Sequence, residues 1–220
     1  MSANSAREAV FGKIRSALKD VPKSEQPDDV AVDRSYLTAS DESRPELIRQ
    51  FIERVEEYRA KVRTTSPDDL PRVIAESCAD NGIRSLVVPA DLPDGWAPTD
   101  LTLLREPGLS IDQLEQAGGA LTACAVGIAQ TGTVVLDAGP GQGRRAITLL
   151  PDHHLCVIFE DQIVGLVPEA IARLHDAASR PDRPITFISG PSATSDIELN
   201  RVEGVHGPRR LEVIVVASSA

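Results

Sequence analysis

The apolar residues of this chain recur at helical spacing in some stretches and form short continuous runs in others. Helical spacing predicts a short helix over residues 5–18 and a helix of about four turns that begins near Arg44. It also predicts helices after Ser66, over Ser110–Gln116 and from Pro168. The apolar runs predict strands at Lys61–Thr65, Ser85–Pro89, Leu101–Leu104, residues 120–124, residues 132–137, Leu155–Phe159, Ile185–Ile188 and Leu211–Val216.

Predicted strands and helices alternate along most of the chain. Such alternation is typical of a mainly parallel sheet that is covered by helices on both faces. The predicted fold class is therefore α/β, with a twisted, mainly parallel, Rossmann-like sheet.

The segment after the first predicted helix has the composition of a linker. It contains about 25 residues rich in Pro, Ser, Asp and Glu. The sequence therefore predicts an N-terminal helix and flexible arm over residues 1–43, followed by an α/β domain over residues 44–220. Two alternatives stay open for the N-terminal helix: it docks on a partner or sister subunit, or it folds back on its own domain.

The charge of the chain excludes some classes of partner. The net charge of -10 argues against a duplex nucleic-acid surface, which needs a basic face, and against anionic membranes. No apolar run approaches the roughly 20 residues that a membrane-spanning helix needs. A small anion stays compatible with this charge, because a local pair of arginines can bind one on an acidic protein.

Three cysteines, Cys78, Cys124 and Cys156, lie far apart in apolar surroundings, and no CxxC motif occurs. This spacing predicts buried thiols and no zinc or iron–sulfur site built from this chain alone. An odd number of cysteines without a signal peptide predicts a reducing cytoplasm.

The first candidate ligand segment is Gly127–Thr133. Gln130 can donate and accept toward a carboxylate or amide, and the hydroxyls of Thr131 and Thr133 can bind an oxyanion. Gly132 allows a sharp turn and a close approach of the backbone. The alternative is a tight connection between strands with no ligand.

The second candidate segment is Gly139–Arg145. Glycine-rich backbone beside paired guanidinium groups can hold a phosphate or carboxylate, and Arg145 is the preferred ligand residue. The segment lacks the Gly-Lys-Ser/Thr ending of a P-loop and the three-glycine spacing of a dinucleotide fingerprint. The alternative is a hairpin loop with solvated arginines.

His153 and His154 point to opposite faces of an extended segment, so they do not ligate one metal easily. His154 is the preferred candidate for proton transfer or hydrogen bonding to a ligand. The alternative is a structural histidine.

The third candidate segment follows the strand that ends at Ile188. Main-chain amides after Gly190 and the hydroxyls of Ser189, Ser192 and Thr194 can form an anion-binding concavity. The remaining candidates of this region are Asp196, Glu198 and His206. Ser195 and Glu198 also fit a capping box, and the turn at His206 either closes the crevice or is a plain turn.

A Ser192–His206–Asp196 triad can be drawn from the same residues. Ser192 lacks the Gly-x-Ser-x-Gly context of a nucleophile elbow, which disfavours a hydrolase. The sequence instead predicts that the segments around residues 130, 145, 190 and 206 meet at one rim of the sheet to hold a small anion.

Taken in order, these motifs resemble the lactate-utilisation protein C family, which carries a LUD domain, over residues 44–217. The residues that carry the resemblance are Ala129–Leu136, Arg145 six residues before Pro151, His154, Ser189–Ser192, Thr194, Asp196–Glu198 and the Gly204-x-His206-Gly207-Pro208 turn. The resemblance implies a fold like that of glucosamine-6-phosphate isomerase, ribose-5-phosphate isomerase and the CoA-transferases. It also implies a role in bacterial oxidation of L-lactate to pyruvate with two iron–sulfur proteins, encoded in one operon, that carry the clusters.

The chain departs from the family pattern at Gln130, where the family usually has a glutamate. A glutamine cannot act as a general base or as a carboxylate nucleophile. The favoured hypothesis is therefore a non-redox, small-anion-binding accessory component of lactate oxidation. A self-sufficient enzyme of the CoA-transferase or sugar-phosphate isomerase type is the alternative, a ligand-free scaffold is a third hypothesis, and assembly of several copies stays open.

Overall fold

A computed structural model of the protein describes residues 3–22, 24, 26, 29, 32–33, 35–179, 183–191 and 207–218. The chain divides into two compact units, Met1–Tyr36 and Leu37–Ala220. The boundary after residue 43 that the linker composition suggests stays a prediction.

The first unit contains helix α1 (Ala3–Ala17). Val10, Phe11 and Ile14 are exposed on it, and the guanidinium of Arg7 lies 5.5 Å from the centre of the Phe11 ring. The position of this helix agrees with the helical spacing over residues 5–18.

The second unit contains the remaining regular elements of the described chain. Its strands are β1 (Lys61–Thr65), β2 (Ser85–Val88), β3 (Thr102–Arg105), β4 (Gly119–Ala123), β5 (Val126–Ile128), β6 (Thr133–Leu136), β7 (His153–Phe159), β8 (Ile163–Val164), β9 (Thr186–Ile188) and β10 (Arg210–Val216). Its helices are α2 (Arg44–Glu57), α3 (Leu70–Asp80), α4 (Ile111–Glu115), α5 (Val167–Arg173) and α6 (His175–Ala178). Single 3₁₀ turns occur at Asp94–Trp96, Arg145–Thr148 and Glu160–Gln162.

Local sequence explains why α2 begins where it does. Ser43 precedes the helix, and both its backbone amide and its hydroxyl donate to the Glu46 carboxylate, at 3.0 Å and 2.6 Å. Pro45 occupies the first turn, where a missing amide costs nothing. Leu47, Phe51 and Val55 then fall on one buried face.

The main sheet has six strands in the order β1-β10-β7-β4-β2-β3, and all of its pairs are parallel. Leu155 and Val157 of β7 face a cluster that includes α3, and Cys156 and Ile158 face one that includes α2. Helices therefore cover both faces, and the predicted α/β fold with a mainly parallel sheet is confirmed.

The structure adds a second sheet that the sequence did not predict. Its order is β8-β5-β6-β9, with antiparallel β5–β6 and β6–β9 pairs and a parallel β5–β8 pair. Val134 and Leu136 of β6 belong to the same apolar cluster as Phe51 of α2. This sheet packs beside α2, it contains the first candidate ligand segment between β5 and β6, and the third candidate segment follows its strand β9.

The three cysteines are buried, as their spacing suggests. Burial and the neighbouring Glu212 raise the pKa of Cys78 to about 12. A hydrogen bond with Cys156, together with burial, raises the pKa of Cys124 well above its ordinary value. Within the described ranges, no three His, Cys, Asp or Glu side chains form a group that could hold a metal ion, and no helix is long and apolar enough to span a membrane.

The topology places a switch point between β2 and β4. The two strands are neighbours, and the chain leaves β2 toward β3 on one side and leaves β4 toward β7 on the other. In open α/β sheets, ligands bind outside the carboxyl ends of such a pair of strands.

Candidate functional site

A glycine-rich loop over residues 138–143 lies at the carboxyl ends of β2 and β4. The Gly141 carbonyl accepts from the Ala123 amide at 2.8 Å, and the Gly141 amide donates to the Asp91 carboxylate at 3.0 Å. Ala138, Gly141 and Gly143 all have left-handed φ angles, between 53° and 68°. The two hydrogen bonds thus hold the loop at the switch point, and the three left-handed residues give its backbone the sharp turns that it needs there.

This loop borders a cavity of about 550 Å³, which we call the arginine cavity. Its other walls come from Arg144, Arg145, Arg183, Asp91 and Pro184. The volume lies within the range of about 300–1,000 Å³ that is usual for small-molecule sites.

Two of the three arginines are braced by carboxylates. Arg144 donates from Nε and Nη2 to the buried Glu106 carboxylate at 3.0 Å and 2.6 Å, and its Nη2 also reaches the Leu109 carbonyl. Arg183 donates from Nη2 to the Asp137 carboxylate at 2.6 Å and from Nε to the Asp137 carbonyl at 2.9 Å. These ion pairs fix the positions of two guanidinium groups.

A glycine at position 139 makes the second brace possible. A Cβ atom there would lie 2.5 Å from Nη2 of Arg183 and 2.6 Å from Oδ1 of Asp137. Any other residue would therefore displace the Arg183–Asp137 pair.

Arg145 differs from its two neighbours. It is half-buried, its Nη1 donates to the Thr148 hydroxyl at 2.9 Å, and it has no carboxylate within 4.0 Å in the part of the chain that the structure describes. Burial lowers its pKa, whereas hydrogen bonds to Glu76 and Asp69 raise the pKa of Arg72. Buried charges in proteins are usually paired, so Arg145 is, among the described residues, a half-buried cation without a counter-ion.

His154 is buried in the interior, close enough for the charge of this arginine to act on it. Its Nε2 is 2.8 Å from the Thr122 hydroxyl, and its Nδ1 has no partner among the described residues. Burial, followed by the charges of Arg145 and His153, lowers the pKa of His154 to about 3. The ring is 1% exposed and neutral near pH 7, so the arginine is the group of this pair that a ligand can reach.

A second polar group, the hydroxyl cluster, consists of Thr131, Thr133 and Ser189. The Thr133 hydroxyl lies 2.7 Å from the Thr131 hydroxyl and 2.7 Å from the Ser189 hydroxyl. Antiparallel pairing of β6 with β9 brings these residues together across 56 positions of the sequence.

Two glycines fit the hydroxyl cluster against the end of α2. A Cβ on Gly132 would lie 2.5 Å from the Arg54 carbonyl carbon, and a Cβ on Gly190 would lie 2.7 Å from the Tyr58 Cβ. Both glycines have left-handed φ angles. The carboxyl end of a helix carries partial negative charge, so this position does not by itself favour an anion.

Gln130 is exposed at the turn between β5 and β6. Its backbone amide donates to the Gly165 carbonyl at 3.0 Å. This bond ties the turn to the residue after β8.

The predicted site residues therefore form two groups. Leu136 and Thr186 lie next to Arg145, whereas Thr133 and Ser189 lie toward the other end of the β6–β9 pair. Three residue steps along a strand correspond to about 10 Å. Ser192, Thr194, Asp196, Glu198 and His206 lie outside the described residues.

The structure also brings in residues that sequence reasoning missed. Arg183, Asp137, Glu106 and Asp91 build the arginine cavity or brace its walls. Asp137 is the last residue of the strand predicted over residues 132–137 and directly follows the observed β6, which is a usable signal, but its pairing with Arg183 spans 46 positions and leaves no local pattern.

Comparison with known proteins places this architecture among bacterial relatives. A family model described as LUD domain matches residues 48–216. A Lactate utilization protein C from Deinococcus radiodurans is 49% identical over 175 residues, which are 79% of this chain and 81% of that protein. A protein of the same name from an Exiguobacterium species is 30% identical over 187 residues, covering 81% of this chain and 80% of its own length.

A solved structure shares the fold. The crystal structure of a DUF162 family protein from Deinococcus radiodurans matches with a TM-score of 0.70 and 42% sequence identity. The match covers 80% of this chain and 99% of that protein.

Proposed function

The chain belongs to the LUD domain family, and from this premise we propose that it serves bacterial lactate utilisation as a small-anion-binding component. Two relatives that match most of their length carry the name Lactate utilization protein C, which supports the pathway. The anion-binding role rests on the geometry of the arginine cavity.

Arg145 is the observation that carries this proposal. Its guanidinium is half-buried at the switch point and has no carboxylate within ion-pair distance along the described chain. An anion placed there would compensate the charge and gain charge-assisted hydrogen bonds. The backbone amides of Gly143 and Arg144 meet no acceptor among the described residues. They can donate further hydrogen bonds to the same anion.

The proposal assigns electron transfer to two iron–sulfur partner proteins rather than to this chain. Cys78 packs in the cluster on the α3 face, and Cys124 and Cys156 pack in the cluster on the α2 face. Raised thiol pKa values and apolar surroundings suit inert structural cysteines. Gln130, which has no proton-transfer chemistry near pH 7, fits an accessory role.

A second candidate is a self-sufficient enzyme acting on a small anionic substrate. The arginine cavity favours it, because guanidinium groups beside a glycine-rich loop can stabilise developing negative charge. Turnover of a substrate by the purified chain without partners would support this candidate over the accessory role.

Genetic complementation tests the proposed function. A strain lacking the gene receives the wild-type gene, an Arg145→Gln variant or an Arg72→Gln control, and growth is compared on L-lactate and on pyruvate. Arg72 is an exposed arginine on α3 that pairs with Asp69 and Glu76, so the control removes a charge away from the cavity. The wild type and the control should restore growth on L-lactate, and Arg145→Gln should not, with equal protein levels and equal growth on pyruvate.

Normal growth of the deletion strain on L-lactate would contradict the role in lactate utilisation. Restoration by Arg145→Gln would contradict the role of the arginine cavity. Affinity purification of the tagged chain from lactate-grown cells tests the partners, and recovery of the chain without any iron–sulfur protein would contradict their assignment.

A further inference from the structure

The three arginines of the cavity keep hydrogen-bond donors that the described protein does not use. Arg144 and Arg183 each engage Nε and Nη2, which leaves Nη1 without an acceptor in the described residues. Arg145 engages only Nη1, so its Nε and Nη2 are likewise unengaged there. Counted against the described residues, three guanidinium groups around one cavity therefore offer four nitrogens that meet no acceptor.

The cavity also contains an acceptor. Asp91 accepts from the Gly141 amide through Oδ2, and its Oδ1 receives no hydrogen bond from the described chain. A purely anionic ligand would meet repulsion from this carboxylate. A ligand with a hydroxyl group can donate to Asp91 while its anionic end meets the arginines.

The size of the cavity separates lactate from larger ligands. A water molecule occupies about 30 Å³ in the liquid, which gives roughly 30 Å³ per non-hydrogen atom. Lactate has six non-hydrogen atoms and therefore fills at most about 180 Å³. The cavity measures about 550 Å³. A three-carbon acid would leave most of the cavity volume, and most of the arginine donors, to solvent.

Charge distinguishes a phosphate from a carboxylate. A carboxylate has two oxygens and one charge, which a single guanidinium fork can satisfy. A phosphate ester has three terminal oxygens and close to two charges at neutral pH. The donors of three arginines that line one cavity match the phosphate better.

We propose that the arginine cavity binds a hydroxylated phosphate ester, with the phosphate against Arg145, Arg144 and Arg183 and a hydroxyl against Asp91. The inference rests on the anion site of the proposed function and names its ligand class. Sugar phosphates and nucleotides share this chemistry.

Isothermal titration with the purified full chain tests the ligand class. The probes are ribose 5-phosphate, AMP, ribose, inorganic phosphate and L-lactate. Ribose 5-phosphate or AMP should bind at least tenfold more tightly than both ribose and L-lactate. Tighter binding of AMP identifies a nucleotide as the source of the phosphate, and tighter binding of ribose 5-phosphate identifies a sugar phosphate.

Variants locate the binding. Arg145→Gln should weaken the favoured phosphate ester at least tenfold, and the Arg72→Gln control should not change it. Asp91→Asn keeps a carbonyl oxygen for the Gly141 amide while removing the charge. It should tighten binding of inorganic phosphate and reduce the preference for the ester over inorganic phosphate, which a loss of folding would not produce.

The proposal is overturned if neither ester binds, if L-lactate binds within tenfold of the better ester, or if Arg145→Gln leaves ester affinity unchanged. L-lactate binding that lies within tenfold of the better ester and requires Arg145 would overturn this inference and keep the proposed function. Normal growth of the Arg145→Gln strain on L-lactate would count against the proposed function whatever the titrations give.

Discussion

The arginine cavity and the hydroxyl cluster both use left-handed glycines, but they use them for different purposes. In the hydroxyl cluster, Gly132 and Gly190 let the chain approach the backbone or Cβ atoms at the end of α2, and the hydroxyls bond one another. In the arginine cavity, Gly141 and Gly143 shape a loop beside guanidinium groups with unused donors. Polar groups that bond one another within the chain support the fold, whereas the unused guanidinium donors around the open arginine cavity are the ones to which we propose that a ligand binds.

His154, whose pKa the charge of Arg145 in the cavity helps to lower, should give the largest effect on stability. Its pKa is about 3 in the folded state against an ordinary 6.5, so the unfolded state binds more protons between these values and stability falls as the pH falls from 6.5 toward 3. At 1.36 kcal/mol per pKa unit, the loss approaches about 5 kcal/mol at the acid end. Urea unfolding between pH 4 and pH 7 should show a smaller pH dependence for His154→Gln than for the wild type.

The control for this measurement is His175→Gln, at an exposed histidine of α6, which should keep the wild-type dependence. Parallel loss of stability in the wild type and His154→Gln would show that His154 is not protonated on unfolding in this range.

Gly132 of the hydroxyl cluster should give the next largest effect. Gly132→Ala places a Cβ 2.5 Å from the Arg54 carbonyl carbon at a φ of 57°. The left-handed backbone and the overpacking together should lower the free energy of unfolding by about 3 kcal/mol. Urea denaturation measures the change.

Gly95→Ala is the matched control, because an added Cβ there meets nothing within 4 Å, and it should stay within about 0.5 kcal/mol of the wild type. A Gly132→Ala protein as stable as this control would mean that α2 does not press on the turn.

A substitution of Thr133 should give the smallest change in stability, and it should separate the structural role of the hydroxyl cluster from ligand binding in the arginine cavity. Thr133→Val removes the hydroxyl that joins Thr131 to Ser189, which should cost about 1–2 kcal/mol of unfolding free energy. The affinity for the phosphate ester should not change. Thr64→Val, at an exposed threonine of β1, should alter neither quantity appreciably.

Loss of anion binding in Thr133→Val would refute the division between the two regions. It would instead join the hydroxyl cluster and the arginine cavity into one site, as the sequence motifs suggest.

The fold was predictable where its signals are local. The longer strands β7 and β10 contain the apolar runs Leu155–Phe159 and Val213–Val216, and Ser43 with Glu46 marks the start of α2. Strands β5 and β8 contain three and two residues, too few for any periodicity to register, so the second sheet went unpredicted.

The candidate site was predictable in part for the same reason. Arg145 stands next to a glycine-rich loop, and that proximity in sequence was enough to select it. Arg183 acquires its role through Asp137, 46 positions away, and neither residue lies in a motif. Long-range pairing of this kind is decided by strand order, which residue patterns do not encode locally.

The enclosed cysteines give the protein a practical property. Cys78, Cys124 and Cys156 are 0–3% exposed, and the pKa values of Cys78 and Cys124 are raised, so alkylating reagents should react with these thiols only after unfolding. A cysteine introduced at Asp94, whose side chain is 99% exposed, would therefore accept a single fluorescent label in the folded state. The rate at which the three native thiols react would then separately measure the opening of the core.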